Sequence, residues 1–137
     1  MDTIVTGGCL CGAVRYQYRG EVGTAGFCHC TDCRRISGSA FGVSVRLAAS
    51  GFQITSGQPK AFTKFSDSGQ LVTRYFCPDC GAPLYTAPPR HPDIYFIKAG
   101  SLDDPSLVKP DREAWTRSRV PWSAIPSGLA TFETNRT

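Results

Sequence analysis

The segment Leu71-Val72-Thr73-Arg74-Tyr75-Phe76-Cys77-Pro78-Asp79-Cys80-Gly81 decides the fold. In its first half Leu71, Thr73 and Tyr75 recur at every second position, the spacing that lays one face of a β-strand on a core. Its second half is a tight turn in which two cysteines three residues apart aim their sulfurs at one point. The glycine that follows can take a left-handed conformation. A strand that runs directly into such a knuckle predicts a sheet with a metal ion bound at its end, and that ion needs more sulfurs than the knuckle supplies.

The chain has seven cysteines, in three groups. Besides the knuckle there are Cys9-Leu10-Cys11 and Cys28-His29-Cys30-Thr31-Asp32-Cys33. In a strand, residues i and i+2 face the same side, so Cys9 and Cys11 can present both sulfurs to one ion while Leu10 points away. Gly7, Gly8 and Gly12 would let the backbone bend close to the metal. Cys9, Cys11, Cys77 and Cys80 are therefore expected to share one structural zinc, closing a loop of 65 residues between Cys11 and Cys77. The bland alternatives for one of these pairs are buried thiols or a disulfide.

Cys28, Cys30 and Cys33 remain, and they combine a strand spacing with a turn spacing so that three sulfurs can face one ion. The fourth position would fall to water, a substrate group or a distant side chain, as at a catalytic zinc. Three thiolates make that zinc a weak Lewis acid with a preference for an exchangeable thiolate ligand. An incomplete structural site, a labile or partly occupied one, and a partly oxidised one remain open alternatives. In an extended strand the ring of His29 would point away from the sulfurs of Cys28 and Cys30, so it is expected not to be a ligand. His91 reads as a surface-loop residue. Arg34 and Arg35 can receive substrate carboxylates or stand solvated. Ser37 and Ser39 can bond a ligand or shape a turn.

The remaining chain supports a mainly β reading. Val14, Tyr16 and Tyr18 alternate with polar residues, as do Phe41, Val43, Val45 and Leu47, then Phe52 and Ile54, while Ile94-Tyr95-Phe96-Ile97 reads as a more fully buried strand. Turn residues separate them at Ser56-Gly57-Gln58-Pro59, Ser66-Asp67-Ser68-Gly69 and Ala87-Pro88-Pro89-Arg90. The only helical turn expected lies at Asp32 to Ser37. At 137 residues, 41% of them hydrophobic, the chain suits one domain over residues 1–132 with a polar, frayed tail at 133–137.

No apolar run approaches the roughly 20 residues that span a bilayer. The first residues lack a secretory pattern, so a soluble cytoplasmic protein with reduced thiols is expected. The formal charge is +4. Seven thiolates on two divalent ions remove three charges and leave about +1. With Arg34-Arg35 the only adjacent basic pair, a nucleic-acid footprint is weak.

These motifs resemble the glutathione-dependent formaldehyde-activating enzyme family. The resemblance rests on Gly8-Cys9-Leu10-Cys11-Gly12, on Cys28 to Arg35 with Gly38-Ser39-Ala40-Phe41, and on Tyr75 to Gly81. It continues through Gly100-Ser101-Leu102-Asp103-Asp104-Pro105 to Pro121-Trp122. It implies a zinc-containing β-tent of antiparallel sheets and an S-(hydroxymethyl)glutathione synthase-like carbon–sulfur lyase activity. It also implies a structural zinc on Cys9, Cys11, Cys77 and Cys80 and a catalytic zinc on Cys28, Cys30 and Cys33. One departure stands out: family members often carry His before an apolar and an aromatic residue where this chain has Glu113-Ala114-Trp115. Glu113 is expected to help shape the site or to be a solvent-facing carboxylate. Trp115 and Trp122 are expected to be core residues or pocket walls.

Two functional classes follow. The first is a zinc-dependent enzyme that makes or breaks the bond between a small thiol such as glutathione and a carbonyl-derived carbon. Its substrate-binding residues would be Arg34, Arg35 and Ser39. The second is a non-enzymatic, zinc-stabilised protein-binding module. Neither class sets an oligomeric state.

Overall fold

The computed structural model describes residues 3–88 and 90–135. The expectations for Met1, Asp2, Pro89, Arg136 and Thr137 lie outside the described residues. Among the described residues, eleven strands form two sheets. The smaller sheet has β1 (Thr3–Gly8), β2 (Arg15–Gly20) and β5 (Phe52–Ser56), all antiparallel. The larger contains β3 (Ala25–Cys28), β4 (Gly42–Ala48), β6 (Lys60–Phe65), β7 (Leu71–Phe76), β8 (Pro83–Ala87), β9 (Ile94–Lys98), β10 (Arg112–Ala114) and β11 (Ala130–Thr131). Its strand order is β11-β10-β3-β4-β9-β8-β7-β6. The fold is mainly β, as expected, but not purely antiparallel, because β10 runs parallel to both β3 and β11.

The alternation read from sequence sets the core. Tyr16 and Tyr18 are buried while Arg15, Gln17 and Arg19 lie on the opposite face of β2, and Val45 and Leu47 are buried on β4. Between the sheets, Phe52 of β5 packs on Tyr16, Tyr85 and Tyr95, and Tyr85 stacks on Tyr75 at 4.5 Å, almost parallel. Aromatic pairs of this kind add to the gain from area burial. Gly7 and Gly8 have a different task from the one expected. A Cβ on Gly7 would lie 2.3 Å from the Tyr16 hydroxyl and one on Gly8 2.5 Å from the Val14 carbonyl, so they make room for β2 rather than for a metal.

A short α-helix, α1 (Thr31–Ser37), covers the expected helical turn. Cys30 is its N-cap, with Sγ accepting from the Cys33 N–H at 3.3 Å, and Gly38 ends it in a left-handed conformation at φ 66°. Past Phe132 the described residues are hydrogen-bonded to the segment around Trp115. The backbone N–H of Trp115 donates to the Thr134 carbonyl at 2.9 Å and the Trp115 indole N–H to Asn135 Oδ1 at 2.8 Å. No described helix is long and apolar enough to cross a membrane.

Candidate functional site

The first cysteine group assembles as the spacing predicts, though by a different local route. Cys9-Leu10-Cys11 is a turn rather than a strand: the Gly12 N–H donates to the Cys9 carbonyl at 3.3 Å, and Leu10 is 88% exposed. The strand geometry fails here because β1 ends at Gly8, and the turn brings both sulfurs together instead. The knuckle is as expected, with the Gly81 N–H donating to the Cys77 carbonyl at 2.8 Å and Gly81 at φ 78°. The sulfurs of Cys9, Cys11, Cys77 and Cys80 all lie within 4.8 Å of one another.

The donor set fits a metal. Four sulfurs at about 2.3 Å from a tetrahedral zinc stand about 3.8 Å apart. Cys9 and Cys11 are separated by 3.7 Å, Cys11 and Cys77 by 3.8 Å. Backbone N–H groups support the sulfurs, Val14 donating to Cys9 at 3.2 Å and Asp79 to Cys77 at 3.4 Å. The Ala82 backbone N–H, with further bonds from the Cys11 backbone, lowers the Cys80 thiol to about 6, toward the thiolate a metal requires.

The second group also assembles. Cys28 ends β3, Cys30 caps α1 and Cys33 lies one turn on, with three sulfurs within 4.8 Å. No described His, Asp or Glu joins them. Hydrogen bonds from Cys28 and then Cys30 lower the Cys33 thiol to about 3, with Lys98 and Arg74 adding positive field. Cys28 is pushed up by sharing its hydrogen bonds with Cys30 and Cys33.

This second group opens on a cavity of about 500 Å³, lined by Cys28, Cys30 and Cys33. Its floor is the face of the larger sheet that alternation had assigned to solvent. Val45 and Leu47 of β4 enter the core, while Ser44 and Arg46 line the cavity; Tyr75 of β7 enters the core, while Val72 and Arg74 line it. Lys98 of β9, opposite Ser44 in register, completes this basic floor, and Asp32 of α1 and Asp67 of the β6–β7 turn stand at its wall. Thr31 Oγ1 donates to Asp67 at 3.3 Å, tying that turn to the helix.

Arg34, Arg35 and Ser39 do not line the cavity. Arg35 and Ser39 are exposed, and Ser37 Oγ bonds the Arg34 and Phe41 carbonyls, shaping the turn after α1. A helix this short turns only a few of its side chains toward the sheet, here Asp32 and Cys33. The cations that do face the cavity, Arg46, Arg74, Lys98 and Arg112, were missed because each falls in the polar phase of a strand. Their one sequence signal is Arg74, a charge set between Thr73 and Tyr75 in an otherwise uncharged strand.

His29 stays out of the sulfur group, as expected, and it is fully buried. Glu113 is not solvent-facing. It is 5% exposed and accepts from His29 Nε2 at 2.9 Å and from Arg119 at 2.6 Å. Neither tryptophan is core: Trp115 lines the cavity at φ 58°, and Trp122 is 70% exposed. His91 is exposed and lies at the cavity rim.

Residues 4–118 match the model of a family described as glutathione-dependent formaldehyde-activating enzyme. No curated protein matches the chain. Among solved structures, the crystal structure of a Rhodobacter sphaeroides protein is similar, with 20% identity and a TM-score of 0.58 over 93% of this chain and 98% of that one. At that identity the likeness concerns the fold.

Proposed function

Because the chain belongs to the glutathione-dependent formaldehyde-activating enzyme family, we propose that it is a zinc-dependent carbon–sulfur lyase or synthase acting on the adduct of a glutathione-type thiol with an aldehyde or related carbonyl. Membership supports glutathione-dependent formaldehyde activation in general. The observation that carries the finer reading is the contrast between the two cysteine groups: four sulfurs complete one set, while three sulfurs of the other face a cavity of about 500 Å³.

Bound by Cys28, Cys30 and Cys33, zinc would supply a Lewis acid and a position for an exchangeable thiolate. Cys28, Cys30 and Cys33 would have the metal role that the resemblance implies, and Cys9, Cys11, Cys77 and Cys80 the structural one. In the synthetic direction the substrate thiol loses its proton and its sulfur attacks the carbonyl carbon. A carbon–sulfur bond forms as the carbonyl π pair moves to oxygen, which takes the proton; the lyase direction reverses each step. The sheet floor and the turn latched to α1 form a cavity that would hold the reactants together.

The test is zinc stoichiometry with and without glutathione, in the wild type and in Cys30→Ala. The expected result is one zinc indifferent to thiol and one that responds to it, the second lost in Cys30→Ala with the fold kept. Two zincs indifferent to every thiol, with no saturable glutathione binding, would sink the proposal.

A second reading, the non-enzymatic binding module, draws on β6, which is exposed along its whole length and carries Phe62 and Phe65 at 54% and 66% exposure. It expects trio substitutions to unfold the domain or abolish partner binding.

A further inference from the structure

Resting on the reading of the cavity as a thiol site, we propose that Arg74 and Lys98 form a carboxylate-binding subsite that selects thiols bearing a negative charge. Arg74 is placed on the cavity floor with its side chain only 10% exposed. Its Nε is buried and has no hydrogen-bond partner among the described residues. Asp32 Oδ2 lies 3.9 Å from the guanidinium, an ion pair too long for a hydrogen bond, while Asp32 Oδ1 accepts from Lys64 Nζ at 2.8 Å.

A buried donor left in this state costs free energy that an acceptor from a ligand would recover. Lys98, on the same floor, has no described carboxylate within ion-pair distance. Both cations line the same cavity as the sulfurs of Cys28, Cys30 and Cys33. By contrast Arg112 is occupied, bonding both oxygens of Asp111 at 2.7 and 3.2 Å.

The ligand group that matches a guanidinium fork beside an ammonium is a carboxylate. A thiol whose sulfur meets the trio while its carboxylate reaches Arg74 and Lys98 would be held at both ends. A neutral thiol would leave Arg74 Nε unpaired, and that difference is the basis of selection.

The experiment is calorimetric titration of the zinc-loaded full chain with glutathione and with its dimethyl ester, in which both carboxylates are masked, alongside zinc content. The wild type is expected to bind glutathione at least tenfold more tightly than the ester. Arg74→Gln should remove that preference while ester affinity and zinc content stay unchanged, and Arg74→Lys should restore part of it. Equal wild-type affinity for both ligands overturns the proposal, as does an Arg74→Gln variant that weakens both alike or loses zinc, since Arg74 then serves the cysteines. Should Arg74→Gln lose its near-ultraviolet circular dichroism, Lys98→Met decides: selective loss for glutathione supports the subsite and uniform loss overturns it. If neither ligand binds the wild type, the thiol reading itself falls and the subsite falls with it.

Discussion

Replacing Glu113 by alanine should destabilise the metal-loaded protein by about 3 kcal/mol, the lower part of the range for breaking a buried pair. The carboxylate is 6% exposed and its Oε1 accepts from both His29 Nε2 and Arg119. His29 is fully buried, and its Nδ1 has no partner either, so the substitution leaves the imidazole without any side-chain bond among the described residues. A stranded buried donor costs about 1–3 kcal/mol, and the cavity left by the shortened side chain adds to it. Arg119 is 41% exposed and can turn to water, which keeps the total near the lower bound. For 137 residues the unfolding entropy near 60 °C is about 290 cal/mol/K, so the expected fall in Tm is about 10 °C. Glu113→Gln keeps an acceptor at the same place and should cost only about 1 kcal/mol. Urea unfolding followed by circular dichroism measures both, and a double-mutant cycle with His29→Ala isolates the pair, with a coupling of at least about 1 kcal/mol expected. A loss below about 1 kcal/mol in Glu113→Ala, or strict additivity with His29→Ala, would refute the reasoning.

Three further outcomes are expected. Cys77→Ser should lose one metal ion and the cooperative unfolding transition, whereas Cys33→Ser should lose the other ion and keep the transition, since the first group ties the end of β1 to the end of β7 and the second lies within one short segment, from the end of β3 to the first turn of α1; metal analysis with thermal denaturation checks it, and equal effects would speak against separate roles. Arg15 and then Thr6 hold Asp103 at about 2, below the 3.8 of an unperturbed carboxyl, so its contribution is fully present above pH 4 and lost as pH falls toward 2; because the pair is largely exposed, the loss specific to Asp103 should be only about 0.5–1 kcal/mol, read as the difference between wild type and Asp103→Asn across that window. Gly57→Ala should cost at least about 2 kcal/mol, because the residue sits at φ 76° and a Cβ would lie 2.1 Å from the Ala13 carbonyl. Gly69→Ala, at φ 82° with open space around it, should cost about half as much; equal losses would show that strain alone matters.

How much was legible varies by element. The core positions of β2 and β4 were readable because a strand's period of two commits every second residue to one face, and large apolar residues occupy one phase, whereas on β7 that phase reaches the core only at Tyr75, Leu71 being 40% exposed and Arg74 of the other phase the buried residue. What that period leaves open is where the other phase goes. Ser44, Arg46, Val72 and Arg74 read as a solvated side, and it took the packing of α1 and the β6–β7 turn over that side to make them a cavity floor. Glu113 was legible as an oddity but not as a buried acceptor, because its partners His29 and Arg119 come from β10's parallel pairing with β3 and from the turn beyond it, which no local pattern encodes. Arg34 and Arg35 illustrate the converse: adjacency to a metal-ligating cysteine is a fact of sequence, but helical geometry decides which neighbours share its direction.

The sequence by itself determined the mainly β class, the division of seven cysteines into four and three, and the side of most strands that enters the core. Local stereochemistry and burial are enough for these, since sulfur spacing and strand period are properties of short segments. Only the tertiary structure decided which cysteine group faces a cavity, which cations line it and how Glu113 is used. Those depend on side chains from β3, β4, β7, β9, β10 and α1 meeting across sequence distances as long as the 84 residues between His29 and Glu113, and no short-range rule fixes such a meeting.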